Sequence, residues 1–276
     1  MSFYLSISVL ALFCYAASAA CFLGHLWVRK AAWAELGLRI LVVGLGLHVI
    51  GKVEQVFELG HIPVTSSLEA LNLLALGVAA VFVYVARRYG VPVLGAFATP
   101  FTFVTLAASL AFAGDVEGVI PRALQSAWFP VHLAFAITAD ALWMVAGLVS
   151  VTYLIQEGFL RKKRLGTLFR KLPPLHVLDE ICHRLIVLGW LLMSAGMFSG
   201  ALYAKQEWGA YWSWDPRQTW SLLTWLLFAA IMHARITVGW QGRRAAWLTI
   251  IAVVLVLLAL LGLDAITHTR HGGEYL

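Results

Sequence analysis

Ala245-Ala-Trp-Leu-Thr-Ile-Ile-Ala-Val-Val-Leu-Val-Leu-Leu-Ala-Leu-Leu-Gly-Leu263 contains no charged residue and follows directly on Arg243-Arg244. About 20 apolar residues carry an α-helix across the hydrocarbon core of a bilayer, where no water is present to satisfy an exposed N–H or C=O. The rest of the chain is written in the same way. Of its 276 residues 61% are hydrophobic and 12% charged, against roughly 25% charged in a soluble domain. Eight segments have the length and apolarity of a span: Phe3–Val28, Leu36–Phe57, Leu68–Ala86, Val91–Ala113, Phe129–Ile155, Leu185–Ala204, Trp220–Val238 and Ala245–Ile266. The fold class is therefore an all-α integral membrane protein of about eight transmembrane helices. Phe3–Val28 is too long, and too poor in positive charge at its start, for a cleaved signal peptide, and counts as a true helix. Lys52, Glu54 and Glu58 at the end of the second segment must face protein or lipid headgroups. No repeat, low-complexity tract or soluble domain interrupts the chain, so residues 1–276 read as a single polytopic domain.

Fifteen of the twenty Lys and Arg residues fall on one set of connections and adjoining helix ends, including Arg29, Arg87, Arg161, Lys162, Arg243 and Arg244; the other set holds Lys52, Arg122, Lys205, Arg217 and Arg270. Positive loops stay in the cytoplasm. Both termini and the connection 205–220 are thus expected on the outer, periplasmic side of a bacterial inner membrane. The net charge of +6 is then mainly a cytoplasmic rim facing anionic lipid, and it needs no nucleic-acid partner. The longest connection, Gln156 to Arg184, carries Arg161-Lys-Lys-Arg164 and Pro173-Pro174; it reads as part of that rim, as do His176 and His183. Cys14, Cys21 and Cys182 are too few and too scattered for a disulfide framework. The haem-attachment sequence Cys-x-x-Cys-His does not occur, so the chain is not itself a c-type cytochrome.

Apolar packing does not account for Trp208-Gly-Ala-Tyr-Trp212-Ser-Trp214-Asp215-Pro-Arg-Gln-Thr-Trp220. Single Trp and Tyr residues are ordinary at membrane boundaries, and an interfacial belt is one reading of each ring. A helical stripe, however, would space the rings three or four apart. Trp212 and Trp214 are two apart, and Asp215-Pro216 has the form of a helix start. The cluster reads as a loop that offers several flat π faces, including Tyr211, to a large planar ligand, with Asp215 at its exit.

Histidines mark the other candidates. His25 lies at an ordinary helix boundary. His48 lies nine residues beyond Arg39, about 13 Å deeper, and is either a functional group or an imidazole bonded to a neighbouring carbonyl. His132 is about one turn inside the boundary, on the side of the aromatic cluster, where an interfacial role is the alternative. Asp140, two turns deeper, needs a partner. His233 is roughly 20 Å beyond Trp220, which puts an imidazole within an apolar helix. Gly196, Gly200 and Ala204 at spacing four form a small-residue face for close helix packing. Pro100 is expected to kink the fourth helix, and Ser66 to cap the third, with Glu69 in its first turn.

The run Trp208 to Asp215 with Pro216, Thr219 and Trp220, followed by Leu222 to His233-Ala-Arg235, resembles the tryptophan-rich signature of the haem-handling proteins of cytochrome c biogenesis. Within them the chain is most similar to the larger membrane subunit of the system II cytochrome c synthase, from about Pro63 to His271. One departure is Arg217-Gln218, where the family usually has Lys-Glu after Asp-Pro. The resemblance implies a role in haem delivery and in covalent haem attachment to apocytochromes c at the outer face. It implies haem b as the cofactor handled, with His132 and His271 as external axial ligands and His233 as the intramembrane ligand. Trp208, Tyr211, Trp212, Trp214, Asp215 and Trp220 would form the haem-binding loop. Asp264 stands where the family has Asn; that register selects His271, with His268 as the alternative. The expected partners are a smaller synthase subunit, apocytochrome c, haem and membrane lipid, and the expected activity is lyase-type thioether formation as part of a synthase. Two other readings are a membrane regulator of tetrapyrrole synthesis with the same signature and a haem b electron-transfer subunit, for which His48 would have to pair with His233.

Overall fold

The computed structural model describes residues 3–112 apart from 29 and 65, residue 126, and residues 128–266 apart from 165; side chains at 167 and 262–266 are not described. Among the described residues the regular structure is entirely helical. The helices are α1 (Phe3–Trp27), α2 (Ala32–Leu59), α3 (Ser67–Tyr89), α4 (Gly95–Ala111), α5 (Trp128–Arg161), a short α6 (Thr167–Lys171), α7 (Leu175–Trp208), α8 (Pro216–Thr237) and α9 (Arg243–Ile266). All but α6 are long and apolar enough to cross a membrane, α4 together with the 3-10 turn Pro92–Leu94 that leads into it, which makes eight candidate spans. The chain is a multi-pass membrane protein.

Two helices are longer than their apolar stretches. Both α5 and α7 have 34 residues, and α7 begins at Leu175, just after Pro173-Pro174. The connection that reads as a long basic loop is therefore largely helical, since charge ends an apolar span without ending a helix. Between α5 and α7, α6 is fastened to the end of α1: Lys171 Nζ donates to the backbone carbonyls of His25, Leu26 and Val28, carbonyls that a helix C-terminus leaves unsatisfied. His25 sits at that junction. Ser66 caps α3 as expected, with the Glu69 N–H donating to its Oγ at 3.3 Å. α4 runs through Pro100.

α5 is the centre of one half of the bundle, packed on α3, α7 and α9, while α1 and α2 form a hairpin against α4. Its closest partner is α7, through the small-residue face. A Cβ at Gly196 would lie 3.4 Å from the Ala136 nitrogen, and one at Gly189 would lie 2.5 Å from Trp143 Nε1. Trp143 is fully buried and stacks on Phe228 of α8, with centroids 3.9 Å apart and rings inclined by 14°. This closeness without steric relief is what glycines at a helix interface supply when apolar burial gives no drive, because lipid is as apolar as leucine.

Candidate functional site

The aromatic run divides between three settings. Trp208 is the last residue of α7, and its ring meets Tyr203 edge-on at 5.6 Å; Tyr203 in turn meets Phe129 at 5.9 Å. This row ties the end of α7 to the start of α5. Gly209 then ends the helix at φ 75°, a left-handed geometry that glycine adopts without steric cost. Trp212 and Trp214 lie on the loop and pack edge to face, centroids 5.7 Å apart at 87°. Trp214 is 70% exposed and has φ 54°. For a bulky residue that conformation costs on the order of 1–2 kcal/mol, so the turn holds an indole outward at some expense to stability. Tyr211 is also exposed, with Lys205 Nζ 5.5 Å from its ring centre. Trp220 belongs to α8.

Hydrogen bonds to the start of α8 fix this loop. Asp215 is buried and its Oδ1 accepts from the Arg217 N–H at 2.9 Å, with Pro216 at the first helical position. Gln218 Oε1 accepts from both the N–H and the hydroxyl of Ser213, at 3.0 and 3.2 Å. Only a side-chain oxygen is needed for that task, so the amide serves where the resembled family has a carboxylate. Thr219 Oγ1 donates to the Asp215 carbonyl at 3.0 Å. Asp215 is thus a cap that shapes the loop rather than an exposed acid.

His132 enters from α5. Its Nδ1 lies 2.8 Å from the carbonyl oxygen of Gly196 on α7, and because a carbonyl only accepts, Nδ1 carries the proton. In the neutral form of such a ring the lone pair is on Nε2. Metal-ligating imidazoles are commonly oriented by such an N–H to carbonyl bond, which fixes both tautomer and ring plane. Space for the ring comes from Gly200, where a Cβ would lie 2.7 Å from Nδ1. The small-residue face therefore has two uses, helix approach and a slot for this histidine. A separate apolar groove of about 440 Å³, lined by Leu45, Val49, Gly77, Leu133 and Ile137 among others, opens on a different face of α5 and involves none of the candidate ligands.

Comparison with known proteins bears on the whole arrangement. Residues 64–271 match the family described as cytochrome C assembly protein. The chain belongs to the cytochrome c assembly protein family. It is similar to the cytochrome c biogenesis protein CcsA of Synechococcus sp. (strain RCC307), 31% identical over 259 residues, covering 85% of this chain and 83% of the relative. The CcsA protein of Parasynechococcus marenigrum (strain WH8102) is 31% identical over 264 residues, with 86% and 87% covered. That of Prochlorococcus marinus (strain MIT 9312) is 32% identical over 228 residues, with 74% of each covered. As a member of this family the chain has a role in cytochrome c biogenesis, and hence in handling haem.

The remaining family candidates are distributed less simply. His233 is not buried, as its apolar surroundings in sequence suggest, but exposed on α8. The reason is that α8 lies at the edge of the bundle and buries only the stripe Thr224, Phe228, Ile231 and Arg235; His233 projects from the opposite side. His271 and its alternative His268 lie outside the described residues. His48 is fully buried, and both ring nitrogens are engaged by side chains: Tyr15 Oη at 3.1 Å on Nδ1 and Asn72 Oδ1 at 2.8 Å on Nε2. Asn72 Nδ2 donates to Ser109 Oγ at 3.0 Å. The polarity is consistent throughout, since Nε2–H donates to Asn72 and Nδ1 accepts from Tyr15. His48 thereby crosslinks α1, α2, α3 and α4 and has no lone pair left for iron, which removes the pairing that an electron-transfer reading requires. For Asp140, no hydrogen bond or ion pair is found among the described residues.

One pair was not legible in the sequence. Arg235, only 9% exposed, makes a two-pronged contact with Asp179 of α7, Nη1 to Oδ1 at 3.0 Å and Nη2 to Oδ2 at 2.7 Å. Asp179 Oδ1 also accepts from the Gly242 N–H at 3.1 Å. The pair fastens α7, α8 and the α8–α9 turn at the end of the bundle remote from Trp208–Trp220. Planar two-point pairing suits arginine, but nothing in the spacing of residues 179 and 235 announces it.

Proposed function

We propose that the chain is the haem-presenting subunit of a holocytochrome c synthase in the bacterial inner membrane, with both termini and the Trp208–Trp220 loop on the periplasmic side. Haem b is the substrate it positions. His132 and His271 are the axial ligands at the periplasmic level, His233 is the ligand at the inner level, and Trp208, Tyr211, Trp212, Trp214 and Trp220 cover the macrocycle, with Asp215 holding the loop that carries them. The observation that supports this most is the imidazole of His132, seated in a glycine slot with its Nδ1–H tied to Gly196, at the same end of the bundle as an aromatic loop kept open by an outward Trp214. Two imidazoles on one iron hold the macrocycle by its axis, and the indoles exclude water from its faces.

The thiols of an apocytochrome Cys-x-x-Cys-His segment then add across the haem vinyl groups. Each addition forms one C–S bond and moves the thiol proton to carbon, so no electron leaves the system. The chain's own task is orientation and exclusion of water. Because α8 leaves His233 exposed on an outward side, a second ligand at that level would come from another chain, and the smaller synthase subunit is the natural source. The names of the relatives favour this reading over a regulator of tetrapyrrole synthesis.

Two measurements test it. The chain purified together with its neighbouring subunit should carry haem b with a six-coordinate absorption spectrum, and Trp212→Ala and Trp214→Ala should each lower the haem content several-fold while the protein still inserts. Unchanged haem content and cytochrome maturation in both variants would reduce the loop to an interfacial belt. For the orientation, Ala210→Cys should react with an impermeant thiol reagent in intact cells, and labelling confined to permeabilised cells would reverse the topology.

A further inference from the structure

At the end of α7 remote from Trp208 lies a cavity that the haem reading does not use. Its volume is about 400 Å³, and Gln156 and Leu160 of α5, Phe169 and Arg170 of α6, and Leu175 and His176 of α7 are among the residues that line it. Its level is that of a membrane boundary. Lys171, next to Arg170, bonds the carbonyls at the end of α1, where Trp27 is 86% exposed, as an indole is between hydrocarbon and water. Leu160 is exposed as well and gives the cavity an apolar lip.

The walls suit an anion that also carries a donor. Arg170 and His176 are exposed, neither side chain has a hydrogen bond or ion pair among the described residues, and no acid is among the lining residues. α7 starts without a side-chain cap, because its N-cap is Pro174. The N–H groups of Val177 and Leu178 bond the Pro174 carbonyl at 3.1 and 3.2 Å; those of Leu175 and His176 have no partner among the described residues. Free N–H groups and the helix dipole favour negative charge at such an end. Gln156 adds an independent sign. It is 4% exposed, its Nε2 donates to the Phe169 carbonyl at 3.5 Å, and its Oε1 has no partner. A bond of 3.5 Å is at the limit of hydrogen bonding, so the amide can turn its oxygen toward the cavity, and an unmatched buried acceptor calls for a donor. Charge, donor and an apolar lip at a bilayer boundary together describe a lipid headgroup.

We propose that this cavity holds the headgroup of an anionic glycerophospholipid bearing a free hydroxyl. The phosphodiester meets Arg170, His176 and the start of α7, the hydroxyl reaches Gln156, and the acyl chains leave past Leu160 into the bilayer. This is a single recessed site, distinct from the diffuse attraction of lipid to Arg161-Lys-Lys-Arg164. Occupied, it joins α5, α6 and α7 beside the end of α1, and it does not depend on which histidines hold haem.

The test titrates the full chain in detergent with three probes and follows the unfolding temperature. They are dioctanoyl phosphatidylglycerol, dioctanoyl phosphatidylmethanol, which has the same charge and no headgroup hydroxyl, and glycerophosphate, which has no tail. Phosphatidylglycerol should bind more tightly than either of the others. Arg170→Gln should weaken its binding about tenfold, the worth of one hydrogen bond to a charged group, while Arg164→Gln, on the same rim but outside the lining, should change it less than about twofold. Gln156→Leu should bind both lipids equally. Equal losses in Arg170→Gln and Arg164→Gln would reduce the site to a diffuse basic rim and overturn the proposal. Glycerophosphate binding as tightly as phosphatidylglycerol would make this a site for a soluble phosphate, and an unsubstituted protein that does not distinguish the two lipids would remove the contact with Gln156; either result overturns the assignment.

Discussion

Changing His132 to Ala should lower holocytochrome c formation by more than about a hundredfold, beyond the ten- to hundredfold typical of losing a group that only orients a ligand. The imidazole is not readily replaced from its own slot, because Gly196 and Gly200, which form it, carry no side chain. Six-coordinate iron would become five-coordinate, which the visible spectrum reports directly. Imidazole added to the medium should restore part of the activity to His132→Ala. Gly200→Ala gives an independent check: its Cβ would stand 2.7 Å from His132 Nδ1 and 2.9 Å from Cε1, so the ring must shift, and a loss of about tenfold with His132 still present is expected. Wild-type maturation in both variants would show that the Gly196–His132 bond is only packing. His271→Ala should show the same defect and rescue as His132→Ala; if His268→Ala shows them instead, the C-terminal ligand is the earlier histidine.

Asp179→Ala should destabilise the protein by about 3 kcal/mol, since removing one partner of a buried pair leaves the other charge uncompensated. Arg235 is the buried member, and without the carboxylate its Nη2 keeps the residue-179 carbonyl, a neutral acceptor at 3.5 Å, in place of a charged one. The loss should appear as a lower unfolding temperature in detergent and as loosening of the α8–α9 turn, because Asp179 also holds the Gly242 N–H. Replacing both residues by apolar ones, Asp179→Leu with Arg235→Met, should recover most of the loss. A deficit below about 1 kcal/mol for Asp179→Ala would be the behaviour of a surface pair and would mean that this contact does not secure α8.

The eight spans, their order and the helix start at Asp215-Pro216 follow from the sequence because each depends on residues close along the chain. Apolar length fixes a span, and an acid before a proline fixes a cap. The aromatic run is visible for the same reason: the spacing of Trp212 and Trp214 contradicts a helix locally. Membership in the cytochrome c assembly protein family rests on a match over residues 64–271, of which that run is one part. Helix length was less legible, since α5 and α7 continue well past their apolar stretches into charged sequence.

Local sequence thus specifies a membrane protein of eight spanning helices with a tryptophan-rich loop closing onto the start of α8. The fates of His48, His132 and His233 were set by tertiary contacts. His48 and His233 are both imidazoles within apolar helices, and neither periodicity nor depth separates them. In the folded chain Tyr15 and Asn72 come from two other helices to take both nitrogens of His48, whereas the edge position of α8 leaves His233 outside the packed core. The same holds for Gly200, whose missing side chain makes the place for His132, and for Asp179, whose charge meets Arg235 across 56 residues of chain. These depend on which helix faces which, and that is set by the packing of small residues and by pairwise polar contacts between distant segments, neither of which leaves a period in the sequence of any one helix.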